Sequence, residues 1–244
     1  RCVQGANNIV LDGFVITRGT NGMLNDHDSS VVANCVFAYN RDEWGAGASN
    51  YSSTVAYINC YFIGNTNSSY GGGIYSSNST VEIVNCVFSG NAARWGGGVS
   101  GSDAHLVITN SLFCGNSATE RAGALQMITG TATVTNTIIW GNNAPISPEI
   151  DSGSGECPVS HSCIRGGYEG AGNLDTDPLF VGEPGGSLRL RAGSPCVDAG
   201  TPESAPGEDI LGAPRPQGAG VDMGPYEGAV PEENIVTLTV KTEP

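Results

Sequence analysis

The apolar positions of this chain fall in short alternating runs that recur at a nearly fixed interval. Asparagines at 34, 59, 85, 110 and 136 mark the interval, with steps of 25, 26, 25 and 26 residues. Two residues before each stand Val32, Tyr57, Ile83, Ile108 and Val134; four before stand Ser30, Val55, Val81, Leu106 and Ala132. Three residues after come Phe37, Phe62, Phe88, Phe113 and Ile139, and one after come Cys35, Cys60, Cys86, Ser111 and Thr137. Alternation with a period of two is that of a strand, and the break in parity at the Asn marks a bend between two strands. A second Asn column at 40, 65, 91, 116 and 142 keeps the same four steps. Each repeat therefore reads as strand, Asn bend, strand, Gly-Asn turn, variable loop and Gly-rich turn, with no segment of helical period.

Self-similarity at this interval predicts an all-β solenoid, a parallel β-helix of about 25-residue coils with an irregular C-terminal cap. Coils stacked at about 4.8 Å put equivalent residues directly over one another. Phe then sits on Phe and Cys on Cys inside, and Asn on Asn at both corners, where side-chain amides bond to the coils above and below. An earlier coil, NNIVLDGFVITRGTNG, fits with Ile9 and Leu11 before its bend and Phe14 and Ile16 after it, Gly13 and Gly19 replacing the two Asn. The step from Gly13 to Asn34 is only 21, so this coil is shorter. From about residue 143 the repeat dissolves into a Pro/Gly-rich stretch with few core candidates (Ile210, Leu211, Val221, Met223, Tyr226), read as a cap laid over the last coil. The expected division is coils over 1–165, a continuous cap over 166–230, and a tail or linker over 231–244, whose IVTLTV run reads as a strand or the start of a linker.

Composition sharpens the class. Gly makes up 36 of 244 residues, charged residues are 14%, and the only Lys is Lys241. A net charge of −14 excludes nucleic acid as the expected partner, since phosphate binding needs a basic stripe. No apolar run approaches the roughly 20 residues of a membrane span. The eight Cys show neither a disulfide framework nor zinc spacing. Cys35, Cys60 and Cys86 share one repeat position and read as small buried hydrophobes. Cys157, Cys163 and Cys196 lie outside it; a Cys163–Cys196 bridge fits an oxidising compartment, though spacing alone fixes no connectivity. The chain opens on Arg1 inside what reads as a strand turn, the expectation for a mature form or a piece of something longer.

The F-x-G-N and G-G-G-[IV] repeats resemble those of the chlamydial polymorphic outer membrane proteins and the wider pectin-lyase-like β-helix group. The run GNLDTDPLF … SPCVDAG … RPQG … VDMGPYEG resembles the choice-of-anchor Q domain of secreted and cell-surface bacterial proteins. Together the two cover about residues 9–228. They imply a right-handed β-helix, exported and attached to the cell surface, and the polymorphic-protein resemblance implies adhesion; neither implies an activity.

Polysaccharide lyases and glycoside hydrolases of the pectin-lyase-like fold offer an enzymatic alternative. A lyase needs a Lys or Arg base beside Asp-bound calcium, and an inverting hydrolase needs two carboxyl groups spaced for a water. The outward rows hold Val31, Ala56, Glu82, Val107 and Thr133, then Ala33, Ile58, Val84, Thr109 and Thr135, then Val36, Tyr61, Val87, Leu112 and Ile138. Glu82 is their one acid, so no catalytic residue, cofactor or metal is expected there. Binding is the better candidate. Trp44, Tyr70 and Trp95 recur in register before the Gly-rich turn, with Glu43 and Arg94 beside the two Trp. Stacked on a solvent edge, they would hold sugar rings or a partner protein, or else simply cover the backbone of the turn.

Weaker signals are an Asp26-His27-Asp28 loop able to take calcium, His105 and His161, the cap residues Asp198, Asp209, Arg215 and Asp222 with the character of ion pairs and turn bonds, and sequons at Asn50, Asn67 and Asn78 in loops. The apolar outward rows point to a packed lateral partner, and an uncovered first coil would allow self-association into a fibre or array. The expectation is a non-catalytic, exported surface scaffold, structural or adhesive.

Overall fold

The computed structural model describes residues 2–182 and 187–231; of the tail expected over 231–244, residues 232–244 with the IVTLTV run lie outside them. The chain winds as a parallel β-helix with four faces. Residues before the Asn bend form a seven-stranded parallel sheet from Ile9–Asp12 through Ser29–Ala33, Thr54–Ile58, Thr80–Val84, Ala104–Thr109 and Gly130–Thr135 to Val159–Ser160. Residues after it form a second, from Val15–Thr17 to Cys163–Ile164. The pairing is in register, Phe62 opposite both Phe37 and Phe88, and Phe88 opposite Phe113.

Two faces differ from the expected loop and turn. The variable segment is itself a strand, and Arg41–Trp44, Thr66–Tyr70, Ala92–Trp95 and Ser117–Arg121 build a four-stranded sheet, hereafter the arm. A further strand follows the Gly-rich turn, giving a seven-stranded return sheet through Ala48–Tyr51, Ile74–Ser77 and Val99–Ser102. Both escape the apolar pattern because the arm strands mix charged, polar and aromatic residues, and each return strand opens on a single buried apolar residue, such as Ala48, Ile74 or Val99, without a sustained alternation after it.

Each bend is turned by a residue in the left-handed region. The column Asn34, Asn59, Asn85, Asn110 and Asn136 has φ between 45° and 53°, a conformation Asn tolerates better than other non-Gly residues. The Gly triplet after Trp95 has a division of labour. Gly96 takes φ +63°, a Cβ on Gly97 would meet Gly123 O at 2.5 Å, and one on Gly98 would meet the Phe113 ring at 2.9 Å.

The predicted inward rows are buried. Phe37, Phe62, Phe88 and Phe113 are fully enclosed, their rings stacked at 4.8, 4.7 and 4.5 Å and within 4° of parallel. Those spacings are the strand separation itself. Cys35, Cys60 and Cys86 are buried free thiols. One position in the early coil departs: Phe14 is 56% exposed, because its slot in the later coils holds Cys, Ser or Thr and has no room for a ring.

The second Asn column is a continuous buried ladder. Asn40, Asn65, Asn91 and Asn116 each donate through Nδ2 to Oδ1 of the next, at 2.8–3.0 Å. Each such Oδ1 also accepts the preceding Asn's main-chain N–H, and Asn65 and Asn91 reach back to Phe37 O and Phe62 O. The ladder ends on Glu149. This buried carboxylate accepts from Asn142 Nδ2 at 2.6 Å and from the N–H groups of Gly141 and Asn142. Burial pushes its carboxyl up to about 7, against the opposing pull of those donors.

The repeat also runs further than its motif. Val159, His161, Ser162, Cys163 and Ile164 take the register of Val134, Asn136, Thr137, Ile138 and Ile139, with His161 turning the bend at φ 46°.

The C-terminal segment is irregular, as expected, and covers more than the last coil. Residues around Leu174 do lie on the last coil, where Leu174 N donates to Ser162 O and Ile164 N to Leu174 O. The remainder runs back along the side of the rod. Leu190, Cys196, Ile210 and Met223 pack on the outward row Val87, Leu112, Ile138 and Cys163, all of them buried, and the Tyr226 hydroxyl reaches Tyr61 at 3.5 Å. The apolar outward row after the bend therefore finds its lateral partner within the same chain. Cys163 and Cys196 lie against each other as free thiols.

Two outcomes are expected. Phe88→Ala should cost about 3–5 kcal/mol in urea unfolding, against less than about 0.5 kcal/mol for Ser89→Ala at the outward position. Glu149 takes up a proton in the folded state that the unfolded chain has already lost. Stability should thus fall as pH rises from about 4.5 to about 7, by up to about 3 kcal/mol. Glu149→Gln should flatten that dependence, measured as denaturant midpoints across the window; parallel curves for the two proteins would reject it.

Candidate functional site

The arm brings Trp44, Tyr70 and Trp95 together as the sequence interval requires. Trp44 and Tyr70 stack at 5.3 Å, Tyr70 and Trp95 at 4.6 Å, with planes within 21°. Register slips inside the arm strands still return these three to alignment. Tyr75 on the return strand tilts against Trp44 at 5.3 Å and meets Tyr51 edge-on at 5.9 Å, so the column leans on a second row of rings that the sequence interval did not reveal. Burial, then the neighbouring Tyr75 and Asp42, push the Tyr51 hydroxyl up to about 12, leaving it a neutral donor.

The stacking decides which surfaces are free. Both faces of Tyr70 are occupied by its neighbours. One face of Trp95 lies on Tyr70, and the Arg94 guanidinium lies 4.0 Å over the ring; two planar groups at such distances occupy opposite faces. Arg94 is further held by Glu120, at 2.6 Å. Glu43 is exposed beside Trp44. The column thus offers ring edges along its length and one open face at Trp44.

That open face looks into a cleft of about 340 Å³ lined by Thr20, Asn21, Leu24, Asp42, Ser49 and Tyr51. Ser49 Oγ donates to Trp44 O at 2.7 Å and accepts from Asn21 Nδ2 at 2.9 Å, fixing the arm to the coil below. The 21-residue step was the available signal for this cleft: a coil four or five residues short must leave some later residue without a stacking neighbour.

The other sequence candidates fall elsewhere. Glu82 stands alone in its row between Ala56 and Val107. Asp26, His27 and Asp28 make a corner, with His27 Nδ1 against Asp26 Oδ1 at 2.7 Å and Asp28 Oδ2 accepting from Asp26 N. Among the described residues, no three His, Cys, Asp or Glu side chains gather to hold a metal ion. His105 is exposed and paired with Thr131 Oγ1. Of the three sequons expected in loops, Asn50 is a buried strand residue bonded to Asn25, Ser76 and Tyr57, and Asn67 is buried within the arm; Asn78 is exposed.

The densest ionic group lies under the side segment. Arg215 pairs with Glu227 at 2.6 Å, both side chains 1% exposed. Arg215 also donates to Gly224 O and to Asn85 Oδ1 of the outer Asn column. Glu227 accepts from Gln217 N and Asp222 N. Asp209 accepts from Leu211, Ala213 and Glu227 N–H groups, and Asp222 from those of Asp198 and Gly228. Burial raises Asp222 and lowers Arg215 from their ordinary values, the nearby Glu227 opposing the change in Arg215. Every carboxylate here is engaged with main-chain donors, so the cluster holds the segment to the rod. Glu227 was missed in sequence, since nothing in its local context marks it as the partner of Arg215.

Neighbouring contacts complete the attachment. Asn110 Nδ2 donates to Asp222 O, Asn85 Nδ2 to Glu208 O, and Asn136 exchanges bonds with Thr201 through both side-chain atoms. The outer column, linked coil to coil at Asn34–Asn59–Asn85 and Asn110–Asn136, turns outward where the segment crosses it.

Fold and edge together define a parallel β-solenoid with an aromatic column on one side and a side-docked C-terminal segment on another. No protein-family model, curated protein or solved structure matches this chain.

Arg215→Met leaves Glu227 buried without its cation. It should destabilise the protein by about 3–5 kcal/mol and open residues 187–231 to limited proteolysis ahead of the coils. Equal protection of both regions would show that the ion pair does not hold the segment.

Proposed function

We propose that this chain is a non-catalytic scaffold of the bacterial cell surface, structural or adhesive, that meets its glycan or protein partner along the arm edge. The observation that carries the reading is the aromatic column. Three large rings are held in line by strand register on a solvent-facing edge, with their polar neighbours Glu43 and Arg94 alongside. Aromatic side chains presenting an apolar body and a polar rim are the commonest anchors of binding surfaces. A rod suits such a role because its length grows by coils without altering the edge it presents. The likeness of the C-terminal motifs to the choice-of-anchor Q domain supports export and surface attachment, and the acidic surface suits that setting.

The test is a glycan array probed with the wild-type protein and with the Trp44→Ala/Tyr70→Ala/Trp95→Ala variant, each checked for an unchanged unfolding midpoint. Binding to at least one neutral glycan, lost by about tenfold or more in the variant, is expected. Binding that survives in the variant, or a wild-type protein that binds no glycan on the array, contradicts the glycan reading.

A further inference from the structure

We propose that the notch beneath Trp44 is a subsite for a single neutral pyranose ring; this deepens, and rests on, the reading of the arm as a binding edge. The notch follows from coil length. In the coil that begins at Asn40, six residues (41–46) separate that Asn from Gly47, whereas only Thr20 and Asn21 separate Gly19 from Gly22. Gly22 and Gly47 occupy equivalent places, since Met23 pairs with Ala48. The four missing residues are those of the arm strand, which is why the arm sheet begins at Arg41–Trp44, one coil later than the other three sheets. Tyr70 stacks on one face of Trp44, and the strand that would stack on the other does not exist. Trp44 is accordingly 40% exposed, the most exposed of the column.

The chemistry around that open face fits a sugar. An indole face takes the C–H side of a pyranose ring, and a few convergent polar groups around an apolar platform set orientation. Asp42 offers a carboxylate, Tyr51 a neutral hydroxyl, and Thr20 and Ser49 line the wall with Leu24. Asn21 forms the floor. It is 6% exposed, its Nδ2 is committed to Ser49, and its Oδ1 has no donor. A buried acceptor without a donor is costly, and a sugar hydroxyl is the kind of group that satisfies it. The volume, about 340 Å³, is at the small end for ligand sites, which suits one ring and not an extended chain. Charge selects further. Asp42 lies in the lining, which among the described residues contains no Lys, Arg or His, so a uronate or sialylated ring meets like charge there.

Methyl β-D-glucopyranoside, methyl β-D-galactopyranoside and D-glucuronate, titrated into the protein with tryptophan fluorescence and NMR shifts as readouts, test this. At least one neutral glycoside should saturate with a dissociation constant on the order of 1 mM, and glucuronate should bind at least about tenfold more weakly. Trp44→Ala should weaken the neutral glycoside about tenfold or more and Asp42→Asn several-fold. Trp44→Tyr, which keeps a platform and guards against a folding defect, should retain most of the affinity, and Trp95→Ala all of it. No saturable binding of either neutral glycoside, alongside positive glycan-array binding, overturns the notch but leaves the edge standing. So does equal loss in Trp95→Ala and Trp44→Ala with Asp42→Asn unchanged. Failure of the array as well removes both.

Discussion

Everything in this molecule depends on strand register held at one spacing. A parallel sheet brings equivalent residues of successive coils to about 4.8 Å, and a side chain fits only if it tolerates its own copy at that distance. Flat rings, small thiols and amides do. An amide column is the most demanding, because each Asn must donate to one neighbour and accept from the other, and a slip by one residue would bury unpaired donors and acceptors along the whole column. The Asn40–Asn142 ladder meets that condition over five coils, and Glu149 supplies the acceptor where the next Asn would stand. Corner geometry serves the same end: a residue that accepts a positive φ at each bend keeps the coils superimposable.

What could be read from the sequence is what that constraint writes into it. The interval, the inward rows, the two Asn columns and the aromatic column are all repeated, so comparison of one coil with the next exposed them. The arm and return strands are repeated too, but the arm mixes charged, polar and aromatic residues and each return strand opens on one buried apolar residue, Ala48, Ile74 or Val99 among them, so neither leaves an apolar alternation to read. The last coil kept its register while losing its motif: in VSHSCI, His161 and Ser162 take the places of Asn and Cys, substitutions that preserve the bend and the small inward slot but not the spelling.

The C-terminal segment was beyond such reading. It is aperiodic, and its route is set by bonds between groups far apart in sequence, such as Arg215 to Asn85 and Thr201 to Asn136. The apolar outward row showed that something must cover that side of the rod; it could not show that the cover is the same chain. Among the described residues nothing covers the row before the bend in the same way over its early coils, where Val10 is 69% and Val31 37% exposed. The functional reading draws on the same logic. Register that stacks Phe inside also stacks Trp44, Tyr70 and Trp95 outside, and the one coil that breaks the interval leaves a ring face open.

The most direct test of stacked equivalent residues is NMR of protein labelled at Phe, recording contacts between ring protons. The rings of Phe37 and Phe62, of Phe62 and Phe88, and of Phe88 and Phe113 should each show strong mutual contacts, with none between Phe37 and Phe113. Rings that lack these neighbours, or find their contacts in unrelated surroundings, would contradict the rod and every reading built on it.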